Sequence, residues 1–226
     1  MTWQWQLTGR IDVSVVAQVY DLDGQTTPGS TVAALHAQGR RVICYVSVGS
    51  WEKFRPDAAA FPAAVLGKAL DGWPDERWLD VRRLDLLRPL VAARFDQCRA
   101  KGFDAVEPDN VDGYLNRSGF PLTAAHQLAY NRAIADLAHE RGLAVGLKND
   151  LDQVAALQPR FDFAVNEQCH QYDECELLRP FVAAGKPVLH VEYEQAPSAF
   201  CGDTTSLGFS SMRKRLDLDA WRRACP

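Results

Sequence analysis

Short runs rich in β-branched and aromatic residues alternate along the whole chain with segments of helical period, and this alternation limits its folds more tightly than any other feature. The strand-like runs fall at residues 2–7, 13–22, 41–49, 78–81, 103–111, 143–149, 161–169 and 187–194. Between several of them lie amphipathic helices. Leu87, Leu90, Val91, Phe95 and Cys98 share one face of a helix over 86–100, and Tyr130, Ile134 and Leu137 share one face of a helix over 124–141. Gly102 and Gly142, each preceded by a basic residue, supply the left-handed caps that end such helices. Strands separated by helices pair in parallel through right-handed crossovers. Eight candidate strands suffice to close the sheet, so the predicted fold is α/β, a single (β/α)8 TIM-type barrel over residues 1–226. Without the runs at 2–7 and 78–81, an open doubly wound sheet is the alternative.

Six cysteines, with no close pair of the kind that holds zinc, predict disulfides and an oxidising, extracytoplasmic location. Buried free thiols are the alternative. Side-chain alternation in 41–49 puts Tyr45 and Ser47 towards the lumen and Cys44 towards the helical layer, where Cys98 waits. Cys44–Cys98 is therefore the first expected bridge, with Cys169–Cys175 and Cys201–Cys225 completing the set among fifteen formal pairings. The chain begins Met1-Thr2-Trp3, without the charged and apolar regions of a secretory leader, so it is expected to be a mature, secreted form. A formal charge of -4 argues against a nucleic-acid partner, and the apolar runs are too short to span a bilayer. The five histidines show no ligand spacing, so neither a metal nor another cofactor is expected, and the chain is expected to be a monomer.

Active sites of such barrels form where strands end. The predicted strand ends carry Asp21 and Asp23; Ser47 and Glu52; Asp80; Glu107, Asp109, Asn110, Asp112 and Tyr114; Lys148, Asn149 and Asp150; Glu167 and Gln168; and Glu192, Tyr193 and Glu194. Cleaving a glycosidic bond takes one carboxyl to protonate the leaving oxygen and one carboxylate to attack or to activate water, and Asp109 and Glu167 can supply them from different strands. The plainer reading of 107–112 is turn and cap chemistry. Trp3, Trp5, Tyr45, Tyr114, Tyr172 and Tyr193 are candidate walls for sugar rings, although large aromatics are more often core. Lys148 can orient a carboxylate or a substrate hydroxyl; a surface lysine is the commoner case.

Several long strings bear on this choice: WQWQL at 3–7, VYDLD at 19–23, ICYVSVGSWE at 43–52, RPD at 55–57, GFDAVEPDNVDGY at 102–114, GLKN at 146–149, FAVNEQC at 163–169 and AGKPV at 184–188. Over nearly its whole length the chain resembles the endo-α-1,4-polygalactosaminidases of glycoside hydrolase family 114. The resemblance implies a (β/α)8 barrel that cuts α-1,4-linked galactosamine polymers, such as partly deacetylated galactosaminogalactan, within the chain. It also implies catalysis by acids matching Asp109 and Glu167. Glu107 departs from the family string, where Asp is commoner. A carboxylate-rich rim suits the ammonium groups of such a polymer, at about 1 kcal/mol or less per exposed pair. A non-catalytic carbohydrate-binding barrel and a hydrolase of another amino-sugar polysaccharide are the rival readings.

Overall fold

The computed structural model describes all 226 residues. In chain order the elements are β1 (Trp3–Gln6), β2 (Val19–Asp23), α1 (Gly29–His36), β3 (Arg41–Ser47), β4 (Ser50–Glu52), β5 (Leu66–Leu70), β6 (Trp73–Leu79), α2 (Leu84–Lys101) and β7 (Ala105–Asp109). There follow α3 (Ala124–His139), β8 (Ala144–Lys148), α4 (Val154–Leu157), β9 (Phe163–Glu167), α5 (Arg179–Ala183), β10 (Val188–Glu192), α6 (Pro197–Ser206), β11 (Ser210–Arg213) and β12 (Arg223–Ala224). Eight strands form one parallel ladder in the order β1-β2-β3-β7-β8-β9-β10-β11, and β12 adds antiparallel to β11. The order never reverses, so the doubly wound alternative, which needs a switch point, is excluded. The parallel sheet curls until Trp3 Nε1 on its first strand donates to Ser210 O on its eighth, at 2.8 Å.

Two sequence expectations are corrected. The run at 78–81 is not a strand of the parallel sheet: Trp78 and Leu79 end β6, which pairs antiparallel with β4 and β5 in a separate three-stranded sheet inserted between β3 and α2. The eighth parallel strand is instead β11, whose Ser-Ser-Met-Arg sequence lacks the β-branched signature that marks strands. The second run also shortens. Only Val19–Asp23 is strand, because residues 12–15 turn back: Asp12 Oδ1 accepts from Ser14 N, and Tyr20 Oη donates to Val15 O.

Alternation along the strands sorts side chains into two apolar layers. Trp3, Trp5, Val19, Ile43, Val165, Val191 and Met212 fill the inside of the curl. Tyr20, Leu22, Val42, Cys44 and Val106 face outward and meet the helices. As the periodicity predicts, α2 buries Leu87, Val91, Phe95 and Cys98 there, and α3 buries Tyr130, Ile134 and Leu137. Leu90 is only partly buried. Burying a side chain like Phe95 contributes about 2–3 kcal/mol. The predicted glycine cap is present at Gly102 (φ 90°), which ends α2, while α3 starts at a capping box in which Thr123 and His126 bond reciprocally. All three expected disulfides are present: Cys44–Cys98 ties β3 to α2, Cys169–Cys175 closes the loop after β9, and Cys201–Cys225 holds the C-terminal segment to α6.

Candidate active site

Asp109, Lys148 and Glu167 are the last residues of β7, β8 and β9, and at each of them the backbone does the same thing. The next residue adopts a left-handed conformation: Asn110 (φ 62°), Asn149 (φ 48°) and Gln168 (φ 62°). Such dihedrals are costly for any residue with a Cβ and least so for asparagine. They turn each chain sharply away and leave the strand-final side chain projecting over the lumen. Gly49 makes room for the first of these turns, since a Cβ there would lie 1.6 Å from Asn110 O.

The ammonium of Lys148 draws the three strands together. Its Nζ lies 3.0 Å from Asp109 Oδ1, 3.3 Å from Glu167 Oε2 and 3.1 Å from Glu107 Oε1. The two contacts it shares between Asp109 and Glu167 hold those oxygens at most about 6.3 Å apart. Trp5 backs the ammonium, its ring centroid 4.7 Å from Nζ. Burial works against a charged Lys148, but Asp109, Glu167 and Glu107 outweigh it and hold the amine well above the ordinary lysine value.

Asp109 is dense with donors: Tyr45 Oη at 2.7 Å, Lys148 Nζ, and its neighbour's amide, Asn110 N, at 2.8 Å. Burial pushes its carboxyl up, yet Lys148 and these hydrogen bonds prevail and leave it below the usual aspartate value. Glu167 accepts from Tyr193 Oη and from Asn149 Nδ2, while Asn149 Oδ1 accepts the Glu167 amide. Both acids open onto one cleft of about 620 Å³, within the usual range for ligand sites.

Of the remaining sequence candidates, Trp5, Tyr45, Glu52, Asn110, Asp112, Lys148, Asn149 and Tyr193 line this cleft. Burial and then the neighbouring Asp109 raise Asp112 to about 6. Asp21, Ser47, Glu107 and Glu192 are fully buried and do not line it. Ser47 accepts from Asn110 Nδ2 at 3.0 Å, which orients the asparagine. Glu192 spends one oxygen on the amides of His170 and Gln171 and on His190 Nε2. Tyr114 does not line the cleft either, and burial first, then Asp150, raise its hydroxyl. Gln168 bonds Gln171, and Tyr172 stands exposed outside the cleft. Trp3 belongs to the inner core. Where Cys169, Cys175 and His190 converge as metal-type donors, both sulfurs are already joined in a disulfide.

The acidic rim is less free than the sequence suggests. Arg55 bridges Asp23 at 2.6 Å and Glu52 at 2.7 Å, and Arg82 grips Asp80 with two nitrogens at 2.7 Å. Arg55, which opens the RPD string at 55–57, itself lines the cleft, whereas the wall made by Phe54, Trp73, Glu76 and Trp78 went unrecognised in the sequence. One signal could have found that wall. Asp71-Gly72 joins Leu70 to Trp73 as a two-residue hairpin, with Gly72 at φ 83°.

Comparison with known proteins places the chain among relatives. A crystal structure of Ega3 from Aspergillus fumigatus in complex with galactosamine superposes with a TM-score of 0.94 at 39% identity, covering 99% of this chain and 94% of that one. The glycoside hydrolase domain of PelA from Pseudomonas aeruginosa shares the fold, with a TM-score of 0.77 at 15% identity over 98% of this chain and 97% of its own. An uncharacterised protein of Deinococcus radiodurans is 31% identical over an aligned length of 208, covering 81% of this chain and 66% of that longer protein. The model of glycoside-hydrolase family GH114 matches residues 1–226 from end to end, and the chain belongs to that family of glycoside hydrolases.

Proposed function

We propose that this protein cleaves α-1,4-linked galactosamine polymers within the chain, with Asp109 as nucleophile and Glu167 as acid and base. The observation that carries this reading is the Lys148 ammonium seated between the two carboxyls at the floor of an open cleft. Ega3, a relative at 39% identity, was crystallised with galactosamine, which supports the sugar class. Asp109 is kept ionised by its donors, as an attacking carboxylate must be. Glu167 is the more exposed of the two, with 25% of its side chain accessible against 17% for Asp109, which suits the group that meets the leaving oxygen.

A limit of about 6.3 Å between the facing oxygens falls below the roughly 6.5–9.5 Å of inverting enzymes. It favours retention. Asp109 Oδ attacks the anomeric carbon as Glu167 protonates the departing glycosidic oxygen, and the anionic Glu167 then takes a proton from the water that releases the glycosyl-enzyme. Tyr45 and Asn110 N steady the nucleophile throughout. The exposed faces of Phe54 and Trp73, with Asp71 and Glu76 beside them in the cleft wall, suit further amino-sugar units on either side of the cut bond.

We read the curled sheet as a (β/α)8 barrel of one domain whose β1–β11 seam is bridged by side chains: Trp3 Nε1 donates to Ser210 O and the buried Lys214 Nζ to Gln4 Oε1, while Gln4 Nε2 donates to Ala220 O just beyond β11. Three disulfides support a secreted protein. No helix is long and apolar enough to cross a membrane. The deciding experiment is digestion of partly deacetylated galactosaminogalactan with mass analysis and NMR of the new ends. Mid-sized fragments whose fresh reducing ends are α support the reading; binding without products would make the protein a carbohydrate-binding module.

A further inference from the structure

Deeper in the lumen than the Asp109–Lys148–Glu167 row lies a second pair of acids that cannot meet substrate. Asp21 on β2 and Glu107 on β7 have no exposed surface and do not line the cleft. No protein donor bonds either oxygen of Asp21, and Glu107 meets only the Lys148 ammonium, 3.1 Å from its Oε1. The two residues come from the strands that flank β3, where Asp21 pairs with Ile43 and Glu107 with Tyr45, and alternation turns both carboxyls into the same part of the lumen. Two ionised carboxylates in that position would repel, and neither would have a hydrogen to give. One proton between them removes both problems.

We propose that Asp21 and Glu107 share a single buried proton, Asp21 donating its carboxylic O–H to ionised Glu107, and that Glu107 in turn sets how much of the Lys148 charge reaches Asp109 and Glu167. The groups facing the pair from the surrounding strands are Trp5 on β1, Tyr45 on β3, Asp109 on β7, Lys148 on β8, Glu167 on β9 and Tyr193 just after β10, with apolar Val191 on β10 and Met212 on β11 completing the wall. Lys148 is the cation among them. Burial and then Glu107 push Asp21 well above its ordinary value, in keeping with an un-ionised acid, while burial also raises Glu107 and Lys148 opposes that rise. With Glu107 ionised, the one ammonium is shared among Glu107, Asp109 and Glu167. Asp21 and Glu107 are thus positioning residues: they touch no substrate and act through Lys148.

The role in tuning rests on the catalytic reading above, whereas the shared proton can be tested without turnover. Infrared difference spectra of wild type minus Asp21→Asn at pH 7 are expected to show the carbonyl band of an un-ionised carboxylic acid. Asparagine offers an N–H in place of the acid O–H and adds no charge. The limbs of the pH profile of kcat/KM should therefore keep their positions in Asp21→Asn, whatever happens to its height. In Glu107→Gln, Lys148 is released to the upper pair, so both limbs should move to lower pH by about one unit. Absence of the infrared band, or a shift of the limbs in Asp21→Asn, overturns the shared proton. A band together with unmoved limbs in Glu107→Gln overturns the tuning. A protein that shows the band and hydrolyses no galactosamine polymer overturns the catalytic reading alone.

Discussion

The floor of the cleft and its outer wall are built on opposite plans. On the floor, Asp109, Lys148 and Glu167 terminate neighbouring parallel strands and are wrapped in partners: two tyrosine hydroxyls, two asparagine side chains, one backbone amide and one another. The wall is an antiparallel insertion, β4 to β6, where Phe54 is 63% and Trp73 51% exposed and the side chain of Asp71 is 91% exposed. The floor is preorganised, so that its dipoles and charges stand in place before a bond breaks. The wall offers largely exposed aromatic surface, which suits contact with successive units of a polymer. The difference teaches that chemistry and chain recognition here occupy separate structural layers and should fail separately when perturbed.

The largest expected effect comes from the floor. Asp109→Asn and Glu167→Gln should each lower kcat by roughly 10³-fold or more, with thermal stability little changed; near-normal hydrolysis by either variant would break the comparison at its root. Next is Lys148→Met, which leaves Glu107, Asp109 and Glu167 facing one another without a cation. It should cost about 3–5 kcal/mol of stability in denaturant titrations at neutral pH. Because protonation relieves the repulsion, that loss should shrink in acid.

On the wall, Trp73→Ala should raise KM for long polymer by about tenfold while leaving kcat within about twofold. Equal losses in both constants would mean that the wall shares in the chemistry. The smallest effect concerns pH. Burial and then Asp112 raise Asp150, which sits behind the floor, from an ordinary 3.8 to about 7. A carboxyl whose folded value is raised contributes stability that is full below its unfolded value and is lost as pH rises through the folded one. Between about pH 4 and 7 the melting temperature should therefore carry a downward component that Asp150→Asn removes. A melting curve with the same pH slope in wild type and variant would contradict it.

Much of the floor could be read from the chain. Alternation in the third strand placed Tyr45 inward and Cys44 against Cys98, and the helical period picked out the buried face of α2. What escaped were features without local periodicity. Four residues of β11 carry no strand signature of their own and are held by pairing with β10. The wall escaped because β6, read alone as another strand of the parallel sheet, gives no sign that its partners are β4 and β5. Charged residues were placed at strand ends correctly but their company was not. Glu52 and Asp23 are spent on Arg55, and Glu192 on backbone amides.

By itself, then, the sequence determined most of the parallel strands and the two long helices, which way their side chains face, and that acids collect where strands end. Those properties follow from periods of 2 and 3.6 residues and from neighbours a few positions away. Only the tertiary structure decided which acids are free, which are neutralised and which are buried together around one lysine. Burial and ion pairing join residues far apart in the chain, as Lys148 joins β7 to β9, and no local pattern records such distances.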